Sequence, residues 1–310
     1  KAIKEFFPEI TDILWGYSKI RLMPNTQLWR QFYRPLLLHP NAFTSCSPGD
    51  ISKTIVSLAH LKLVHEEEDV WQAAADGIMY GLSRGRIVPD ATTAYWAALN
   101  NSSMIGSSKN SISSKEGSVP SNDVSRVTSG KVFGLPSPEE MNDVYEAYDG
   151  RTLSSSVFGF AMAKVAPSEE LLSLFLTRTK EIASRCNSTD LTNLIWGFHN
   201  LGLQDNGMFH FLTDYVRRNV TGFRPKELAS VLTVFCQRKV VDGAMIEAMT
   251  KAVSHSVAGM PTAHLLDTLT SFHSLYDEQV LIEKAQRSRQ TASDVLRAIS
   301  VREGGRQETP

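Results

Sequence analysis

Apolar residues recur along this chain at the spacing of one helix face, in segments that are similar to one another. The two clearest segments are 10–17, Ile-Thr-Asp-Ile-Leu-Trp-Gly-Tyr, and 191–198, Leu-Thr-Asn-Leu-Ile-Trp-Gly-Phe. Aligning the chain on this pattern gives seven segments, which start at Ile10, Ile51, Ala91, Leu153, Leu191, Leu228 and Leu265. Successive starts are 41, 40, 62, 38, 37 and 37 residues apart. A period of this size predicts an array of repeated structural units.

The apolar residues occupy the same places in each segment when positions are counted from zero at its start. Positions 0, 3, 4 and 7 are apolar in most copies, which is the buried stripe of an amphipathic helix. Position 4 holds Leu14, Ile55, Tyr95, Val157, Ile195, Leu232 and Leu269. Position 6 is small in most copies and holds Gly16, Ser57, Ala97, Gly159, Gly197, Val234 and Ser271. Because glycine inside a helix costs about 1 kcal/mol relative to alanine, we expect a neighbouring helix or a ligand to approach closely there.

A short turn and a second amphipathic segment follow each first helix, as in 168–184, 206–219 and 242–257. Ser47 and Ser137 each precede a proline and then an acidic residue, a pattern typical of a capped helix start. No stretch alternates apolar and polar residues between turn signals, so we expect no β-sheet. The sequence therefore predicts an all-α fold, a single α-solenoid over 1–310 with about seven helix-turn-helix repeats of 37–41 residues.

Two regions depart from the regular period. The interval of 62 residues after Ala91 is about 24 residues longer than the next interval, and residues 100–130 within it are crowded with Ser, Asn and Gly. We expect these residues to form a mobile insertion in the third repeat. Residues 278–299 are longer than the other second segments and richer in Arg and Lys, so we expect them to cap the array. The polar residues 301–310 are expected to fray.

Composition narrows the function without deciding it. The 310 residues are 42% hydrophobic, and 32 Lys and Arg against 33 Asp and Glu give a net charge of −1, so a nucleic-acid surface would have to be local. Cys46, Cys186 and Cys236 lack CxxC spacing and are interpreted as small buried hydrophobes, not as disulfide, zinc or redox residues. No apolar run is long enough to span a membrane. Because the chain begins at Lys1, we expect an upstream segment, and a targeting peptide cannot be read.

Two stretches resemble a known family of helical-repeat proteins. These are Leu-x-x-Leu-Ile-Trp-Gly-Phe-x-x-Leu-Gly at 191–202 and Phe-Arg-Pro-Lys-Glu-Leu-Ala-Ser-Val-Leu-Thr-Val-Phe at 223–235. They are similar to octotricopeptide and heptatricopeptide repeat proteins, relatives of the helical region in FAST-kinase-like and RAP-domain proteins. The resemblance covers most of the chain, weakly in the first three repeats and best in the last three. Armadillo and HEAT arrays share the period, but the Trp-Gly-Phe core favours the organellar family.

The resemblance implies helical hairpins that bind RNA in mitochondria or chloroplasts. Members of that family act in transcript stability, processing, translation and ribosome assembly, and some are built-in ribosomal components. We find no terminal domain of the RAP type, so the nuclease-like chemistry associated with such domains has no support here. The setting that the resemblance implies is the mitochondrial matrix rather than the plastid.

Modular RNA-binding arrays read bases through a few side chains at recurring positions. Positions 2 and 9 are polar, variable and two helical turns apart, so they share one face, with the small position 6 between them. Position 2 holds Asp12, Lys53, Thr93, Ser155, Asn193, Ser230 and Asp267. Position 9 holds Lys19, His60, Asn100, Met162, Asn200, Gln237 and Ser274. One interpretation is that this stripe admits a base or a phosphate, and the alternative is that it is simply a solvated face. Its base-facing candidates are Lys53, Asn193, Asn200, Ser230 and Gln237.

Phosphate contacts require Lys or Arg. The candidates in repeats five and six are Arg217, Arg218, Arg224, Lys226, Arg238 and Lys239. A second set on the terminal segment comprises Lys284, Arg287, Arg289 and Arg297. The alternative for each is a solvated charge. The acidic run at 66–69 would repel a phosphate backbone or would favour the dipole of a helix start. We therefore expect an array with an RNA half and a protein half.

Catalytic and metal-binding motifs are not found in the sequence. Ser129-Gly130-Lys131 lacks the other residues of a phosphate-binding loop, and no Gly-x-Ser-x-Gly elbow occurs. His60 and His65 lack the His-Glu-x-x-His form, and His199 and His273 are interpreted as helix-face residues. Position 5 holds the tryptophans Trp15, Trp96 and Trp196. They are interpreted mainly as packing residues and alternatively as stacking platforms for bases.

The sequence thus predicts a non-catalytic protein without metal, cofactor or small-molecule substrate. The favoured function is binding of organellar RNA, most concretely as a mitochondrial ribosome component or as an rRNA stabilisation and assembly factor beside other proteins of a large ribonucleoprotein. The alternative is a scaffold that holds protein partners in an organellar complex without RNA contact. RNA binding requires a continuous positive path along the array, whereas a scaffold requires exposed apolar patches.

Overall fold

The computed structural model describes residues 2–44, 46–63, 67–84 and 147–304, which form eleven helices and no strand. The helices are α1 Ala2–Ile20, α2 in three continuous segments (Thr26–Leu28, the π-helical Trp29–Tyr33 and Arg34–Leu37), α3 Pro48–His60, α4 Glu68–Arg84, α5 Gly150–Ala163, α6 Glu169–Ile182, α7 Ser188–Asn200, α8 Gly207–Arg218, α9 Pro225–Gln237, α10 Gly243–Ser256 and α11 Thr262–Gly304. One 3₁₀ turn follows each of α6, α8 and α10. The predicted all-α class is confirmed.

The helices pack as two parallel rows. The first helices of the repeats contact one another in the order α1, α3, α5, α7, α9 and α11. The second helices form the other row in the order α2, α4, α6, α8 and α10. The two helices of a hairpin contact each other from α3–α4 to α9–α10, and the 3₁₀ turn after α6 makes the contact with α8. Contacts both within and between hairpins are typical of a solenoid.

The buried stripe of each first helix supplies the core between the rows. Position 4 is fully buried in five repeats, through Leu14, Ile55, Val157, Ile195 and Leu232. Position 7 supplies the aromatic residues Phe160, Phe198 and Phe235 to the same core. A single continuous hydrophobic core runs through the described residues, since each hairpin buries its apolar face only against its neighbours.

Of the two predicted capped helix starts, the one at Ser47 is confirmed and the one at Ser137 lies outside the described residues. Ser47 accepts a hydrogen bond from the Asp50 amide, and Pro48 is the first residue of α3. Ser168 and Asp242 cap α6 and α10 by the same contact with the third residue of the helix. These caps satisfy amide groups that have no partner inside the helix.

Five first helices end in the same Schellman motif. In each, the amide of position 12 donates to the carbonyl oxygen of position 7 over 2.9 to 3.1 Å, and position 11 has a left-handed backbone. Position 12 is apolar throughout, as this motif favours, and holds Leu22, Leu63, Val165, Leu203 and Val240. The chain therefore reverses at the same point of each repeat and returns as the second helix.

The row of first helices passes directly from α3 to α5. A Cβ atom on Gly159 of α5 would lie 2.5 Å from the Ile55 side chain of α3, so the two helices are in direct contact. Repeats two and four are therefore immediate neighbours. The predicted third repeat at Ala91, the insertion at 100–130 and the end of the tail at 305–310 lie outside the described residues.

The seventh repeat differs from the prediction because α11 does not turn. It continues as one helix from Thr262 to Gly304, through residues 278–299, which were expected to form a separate capping segment. Position 11 is Tyr276 and position 12 is Asp277, so neither a residue suited to the left-handed region nor an apolar residue is available for the Schellman motif. No Gly or Pro interrupts the sequence before Gly304, and the helix therefore propagates.

None of the helices in the described ranges combines the length and the apolarity that are needed to cross a bilayer.

Candidate nucleic-acid interface

Positions 2, 5 and 9 form the accessible side of the first-helix row, which we call the first-helix face. Their side chains are partly or fully exposed in the described repeats, with Val56 the buried exception. Positions 0, 4 and 7 point into the core instead in every described repeat before the last. The predicted polar stripe is therefore accessible along the array.

The small position 6 does not open this face to a ligand. A Cβ on Gly197 would lie 2.6 Å from the Val157 side chain of the preceding first helix, and Gly159 meets Ile55 in the same way. Of the two expectations for position 6, the neighbouring helix is correct. At Gly159 and Gly197 a base or phosphate has no room to enter the stripe, because the preceding helix occupies the space.

The five base-facing candidates lie on the first-helix face in different environments. Lys53 forms an ion pair with Asp12 of the preceding repeat. Asn200 donates to the Trp196 carbonyl oxygen at 2.8 Å, and the Ser230 hydroxyl donates to the carbonyl oxygen of Lys226 at 3.0 Å. Of the remaining two, Asn193 is partly exposed on α7 and Gln237 is exposed at the end of α9.

The phosphate candidates of repeats five and six divide between opposite edges of the array. Arg217 and Arg218 end α8, close in sequence to Arg224 and Lys226 at the start of α9. Arg238 and Lys239 follow the other end of α9, which has 13 residues and is about 20 Å long. They do not form one patch.

Several of these cations already have partners within the chain. Arg217 pairs with Asp214 at 2.9 Å, and Arg224 pairs with the buried Glu227 at 2.6 Å. Arg218 lies over the ring of Tyr215.

Two further candidates lie on the terminal helix. Arg287 is exposed and lies 3.9 Å from Glu283 on the same helix. Arg289 lies on the α11 backbone, and its side chain is outside the described part, as are those of residues 291–304.

A row of cations lies at position 11, and the sequence interpretation named only one of its members, Lys239, as a phosphate candidate. Every non-glycine residue with a positive φ in the described ranges is a lysine or arginine at this position, and these residues, which we call the cation row, are Arg21, Lys62, Lys164 and Lys239. All four are exposed, and Gly202 holds the same place in the repeat between Lys164 and Lys239. The row follows the edge where first helices end, with one cation in each of four repeats. In the sequence, the row is indicated by the recurrence of Lys or Arg at the position that Gly202 holds in the fifth repeat.

The backbone at position 11 makes these residue types informative. The left-handed conformation costs an L-residue about 1–2 kcal/mol, which is why glycine is common at this place. A cation also gains from the partial negative charge of a helix C-terminus, but that gain is smaller. Residues kept in a costly backbone conformation are concentrated at functional sites.

The first-helix face itself carries no net charge. Among positions 2 and 9 of the described repeats, the acidic and basic residues are two of each sign, namely Asp12, Asp267, Lys19 and Lys53. The continuous positive path that RNA requires is therefore absent from the described part of this face, and the cation row beside it supplies the nearest regular set of positive charges.

Half-buried aromatic rings lie on the first-helix face at position 5. Phe158 and Trp196 of adjacent repeats have ring centroids 5.1 Å apart. The Lys19 ammonium lies 4.0 Å from the centroid of Trp15 and that of Lys53 lies 6.0 Å from it. Phe158 and Trp196 pack against each other between repeats, and Trp15, Phe158 and Trp196 are partly exposed. Stacking of bases on these rings stays a prediction. Trp96 lies outside the described residues.

The acidic run at 66–69 is largely a structural clamp. Buried Glu67 accepts hydrogen bonds from the Trp29 indole and from Arg34, each at 2.6 Å. Arg34 also pairs with Asp69. The clamp joins α2 to the start of α4, so Glu67 and Asp69 are engaged within the chain, whereas Glu68 is exposed.

His199 belongs to a junction between repeats. Arg238 of α9 donates from Nε to His199 Nδ1 at 3.0 Å and lies over the Phe209 ring. Burial, and then the charge of Arg238, lower the pKa of His199 below its ordinary value. Arg238 is therefore a packing residue of this junction, although its sequence position suggested a phosphate contact.

No group of three or more His, Cys, Asp and Glu side chains in the described ranges is placed to hold a metal ion. Comparison with protein-family models and with curated proteins gives no match for the chain.

Proposed function

We propose that the solenoid binds single-stranded RNA along its first-helix row. In this proposal the cation row holds successive phosphates, and the polar positions 2 and 9 with the aromatic residues of position 5 face the bases. The protein acts by binding and does not catalyse a reaction.

The observation that carries the proposal is the cation row. Its residues occupy equivalent places in successive hairpins, so their charges are repeated along the array rather than scattered. First helices in contact lie about 8–10 Å apart, and a polyanion running along the row would meet a cation at nearly every repeat. Lys and Arg contacts of this type dominate the affinity of single-strand binding.

The partly exposed rings support single strands over duplexes. Base stacking on Trp, Phe or Tyr is tolerant of sequence and contributes to single-strand binding. In a duplex the bases are already stacked on one another and are not available to Phe158 or Trp196.

We further propose that the RNA is organellar, in the mitochondrial matrix, and that the protein is a ribosomal component or an rRNA stabilisation and assembly factor beside other proteins. This part rests on the resemblance of 191–202 and 223–235 to organellar repeat proteins. The experiment is crosslinking of the protein to RNA in the organelle, followed by sequencing of the RNA and mass spectrometry of the crosslinked peptides. We expect rRNA reads above background and crosslinks in first helices. Recovery of no RNA above background would favour the scaffold function instead.

The scaffold function is supported by exposed apolar residues at both ends of the array. Phe6, Ile13 and Ile20 are exposed on α1, and Leu266 and Leu269 are exposed on α11. Such patches are typical of protein interaction surfaces.

A further inference from the structure

The junctions between first helices follow one pairing rule. Position 4 of each first helix faces position 6 of the next, as Ile55 faces Gly159 and Val157 faces Gly197. Position 1 of the earlier helix faces position 3 of the later one, as the hydroxyl groups of Thr11 and Thr54 show at 3.0 Å. Each first helix therefore has a face toward the preceding repeat, at positions 3 and 6, and a face toward the following repeat, at positions 1 and 4.

The first helix of the described array has nothing on its preceding face. Ile13 at position 3 is 44% exposed, although position 3 is buried in all other described repeats. Gly16 at position 6 has no atom within 4 Å of the place where a Cβ would lie. Phe6 and Ile20 extend this apolar strip along α1 at intervals of seven residues from Ile13.

The last first helix has nothing on its following face. Leu266 at position 1 is 65% exposed and Leu269 at position 4 is 55% exposed, although both positions are buried in all earlier described repeats. Tyr276 and Val280 continue the exposed strip at heptad spacing. Leu269 is thus a branched apolar residue of the kind that packs over the small position 6 of the next first helix at the other junctions. In the described array no following first helix packs over Leu269.

We propose that these two faces bind each other between copies of this chain, head to tail. Leu269 of one copy packs over Gly16 of the next, and Leu266 packs against Ile13, by the pairing rule that the internal junctions already use. The interface continues the row of first helices from α11 of one copy to α1 of another. A second copy is the occupant because its α1 presents the small Gly16 at position 6 and the apolar Ile13 at position 3. These are the positions that Leu269 and Leu266 of α11 would face by the pairing rule.

The physical reason for association is that both outer faces of the described array are apolar. Arrays that remain single have end repeats with polar outer faces, whereas Ile13 on α1 and Leu266 and Leu269 on α11 are exposed. Because the two faces differ, the contact is heterologous, and it produces rings or open chains of copies rather than a closed two-fold dimer.

Two variants test this proposal because each blocks one face only. Gly16→Gln fills the small position, and Leu269→Gln removes the apolar side chain from α11. Both should fold, since a Cβ at Gly16 meets nothing and Leu269 is largely exposed. Ser274→Gln, at the exposed position 9 of α11, is the matched control.

The measurement is sedimentation velocity of the whole chain over micromolar concentrations. Wild type and Ser274→Gln should grow beyond the dimer, while each blocking variant alone should remain at the monomer mass of 34.4 kDa. An equimolar mixture of the two blocking variants should give dimers and nothing larger, because one intact face remains on each partner.

Two results would overturn the proposal. A wild-type chain that stays monomeric at every concentration would show that another partner, not a second copy, covers these faces. Dimers of Gly16→Gln alone, together with monomers of Leu269→Gln, would show a two-fold contact between α11 helices. Neither result would bear on RNA binding by the cation row.

Discussion

At the scale of single residues, the buried polar groups of this protein hold repeats together. Glu67 joins two second helices, Asp190 accepts from Ser154 of the preceding repeat at 3.3 Å, and His199 accepts from Arg238 of the following one. Burial raises the pKa of the Cys186 thiol to about 12, which agrees with its interpretation as a small buried hydrophobe. None of these contacts was visible in the sequence, because each partner lies a whole repeat away.

Glu67 provides the first test at this scale. Glu67→Ala should lower the free energy of unfolding by about 3 kcal/mol, because it leaves the Trp29 indole and the Arg34 guanidinium without their acceptor. Glu68→Ala, at the exposed neighbour, should change it by no more than about 0.5 kcal/mol. Urea denaturation compares the two, and a loss below about 1 kcal/mol for Glu67→Ala would rule out the clamp.

His199 gives a dependence on pH. Its pKa in the folded protein lies below the ordinary value of 6.5, so the unfolded chain binds the proton first as the pH falls. Stability should therefore decrease as the pH falls from 6.5 through the folded pKa, and this site should contribute no pH dependence above that range.

The control variants isolate this effect. His199→Gln keeps an acceptor for Arg238 without the titrating ring and should flatten the decrease, whereas His210→Gln, at an exposed histidine, should keep it. Thermal melts between pH 7 and 5 measure both. An unchanged slope in His199→Gln would assign the pH dependence to another group.

At the scale of elements, periodicity predicted most of what is observed. The starts at Ile10, Ile51, Leu153, Leu191 and Leu228 fall inside first helices that end in the same motif, and the predicted cap at Ser47 is present. The second segments predicted from 168 and 242 begin at those residues, which cap α6 and α10. Apolar spacing reports helix faces directly, which explains this success.

Two features of the elements depend on more than periodicity. The cation row follows from a left-handed backbone that is set by the Schellman motif, and a lysine at such a place looks like any surface lysine in the sequence. α11 is continuous because position 12 of its repeat is not apolar. This difference can be recognised in the sequence only after the Schellman motif has been found in the other repeats.

The junction rule predicts opposite effects for one substitution at two glycines. Gly197→Ala should destabilise the protein by about 1–3 kcal/mol, because its Cβ would lie 2.6 Å from Val157. Gly16→Ala should stabilise it by up to about 1 kcal/mol, because it removes a helical glycine and meets nothing. Chemical denaturation compares the variants at low protein concentration, and equal effects would contradict the stacking that we describe.

At the scale of the whole molecule, the described hairpins form one array with a row of cations along one edge and apolar faces at both ends. Cations repeated once per hairpin suit a linear polyanion, and unmatched ends suit further units of the same kind. The neutral composition of the chain hides both features, because acidic residues in clamps and caps balance the cations in the total charge. The sequence interpretation named phosphate candidates at both edges. Arg217, Arg218, Arg224 and Lys226 lie at one edge, and Arg238 and Lys239 lie at the edge of the cation row.

Charge reversal at Arg217 and Arg218 therefore separates the two edges. If the RNA follows the helix ends around α8, Arg217→Glu with Arg218→Glu weakens binding and reduces its salt dependence, as the sequence interpretation predicts. If the RNA follows the cation row alone, this variant retains most of the salt dependence. The comparison assigns the RNA to one edge or to both.

The most direct test of the account is the salt dependence of RNA binding in a variant that lacks three members of the cation row. The fourth member, Lys239, pairs with Glu278 of α11 at 2.7 Å and is left unchanged. Arg21→Gly, Lys62→Gly and Lys164→Gly together should fold at least as well as the wild type, because glycine suits the left-handed backbone. The variant is compared with wild type and with Lys180→Gln, at an exposed lysine of the second-helix row, by fluorescence anisotropy of a labelled single-stranded RNA of mixed sequence. Our account predicts that the slope of log K against log salt falls by about 2 in the glycine variant, at about 0.7 for each lost phosphate contact. An unchanged slope with an intact fold would contradict RNA binding along this row.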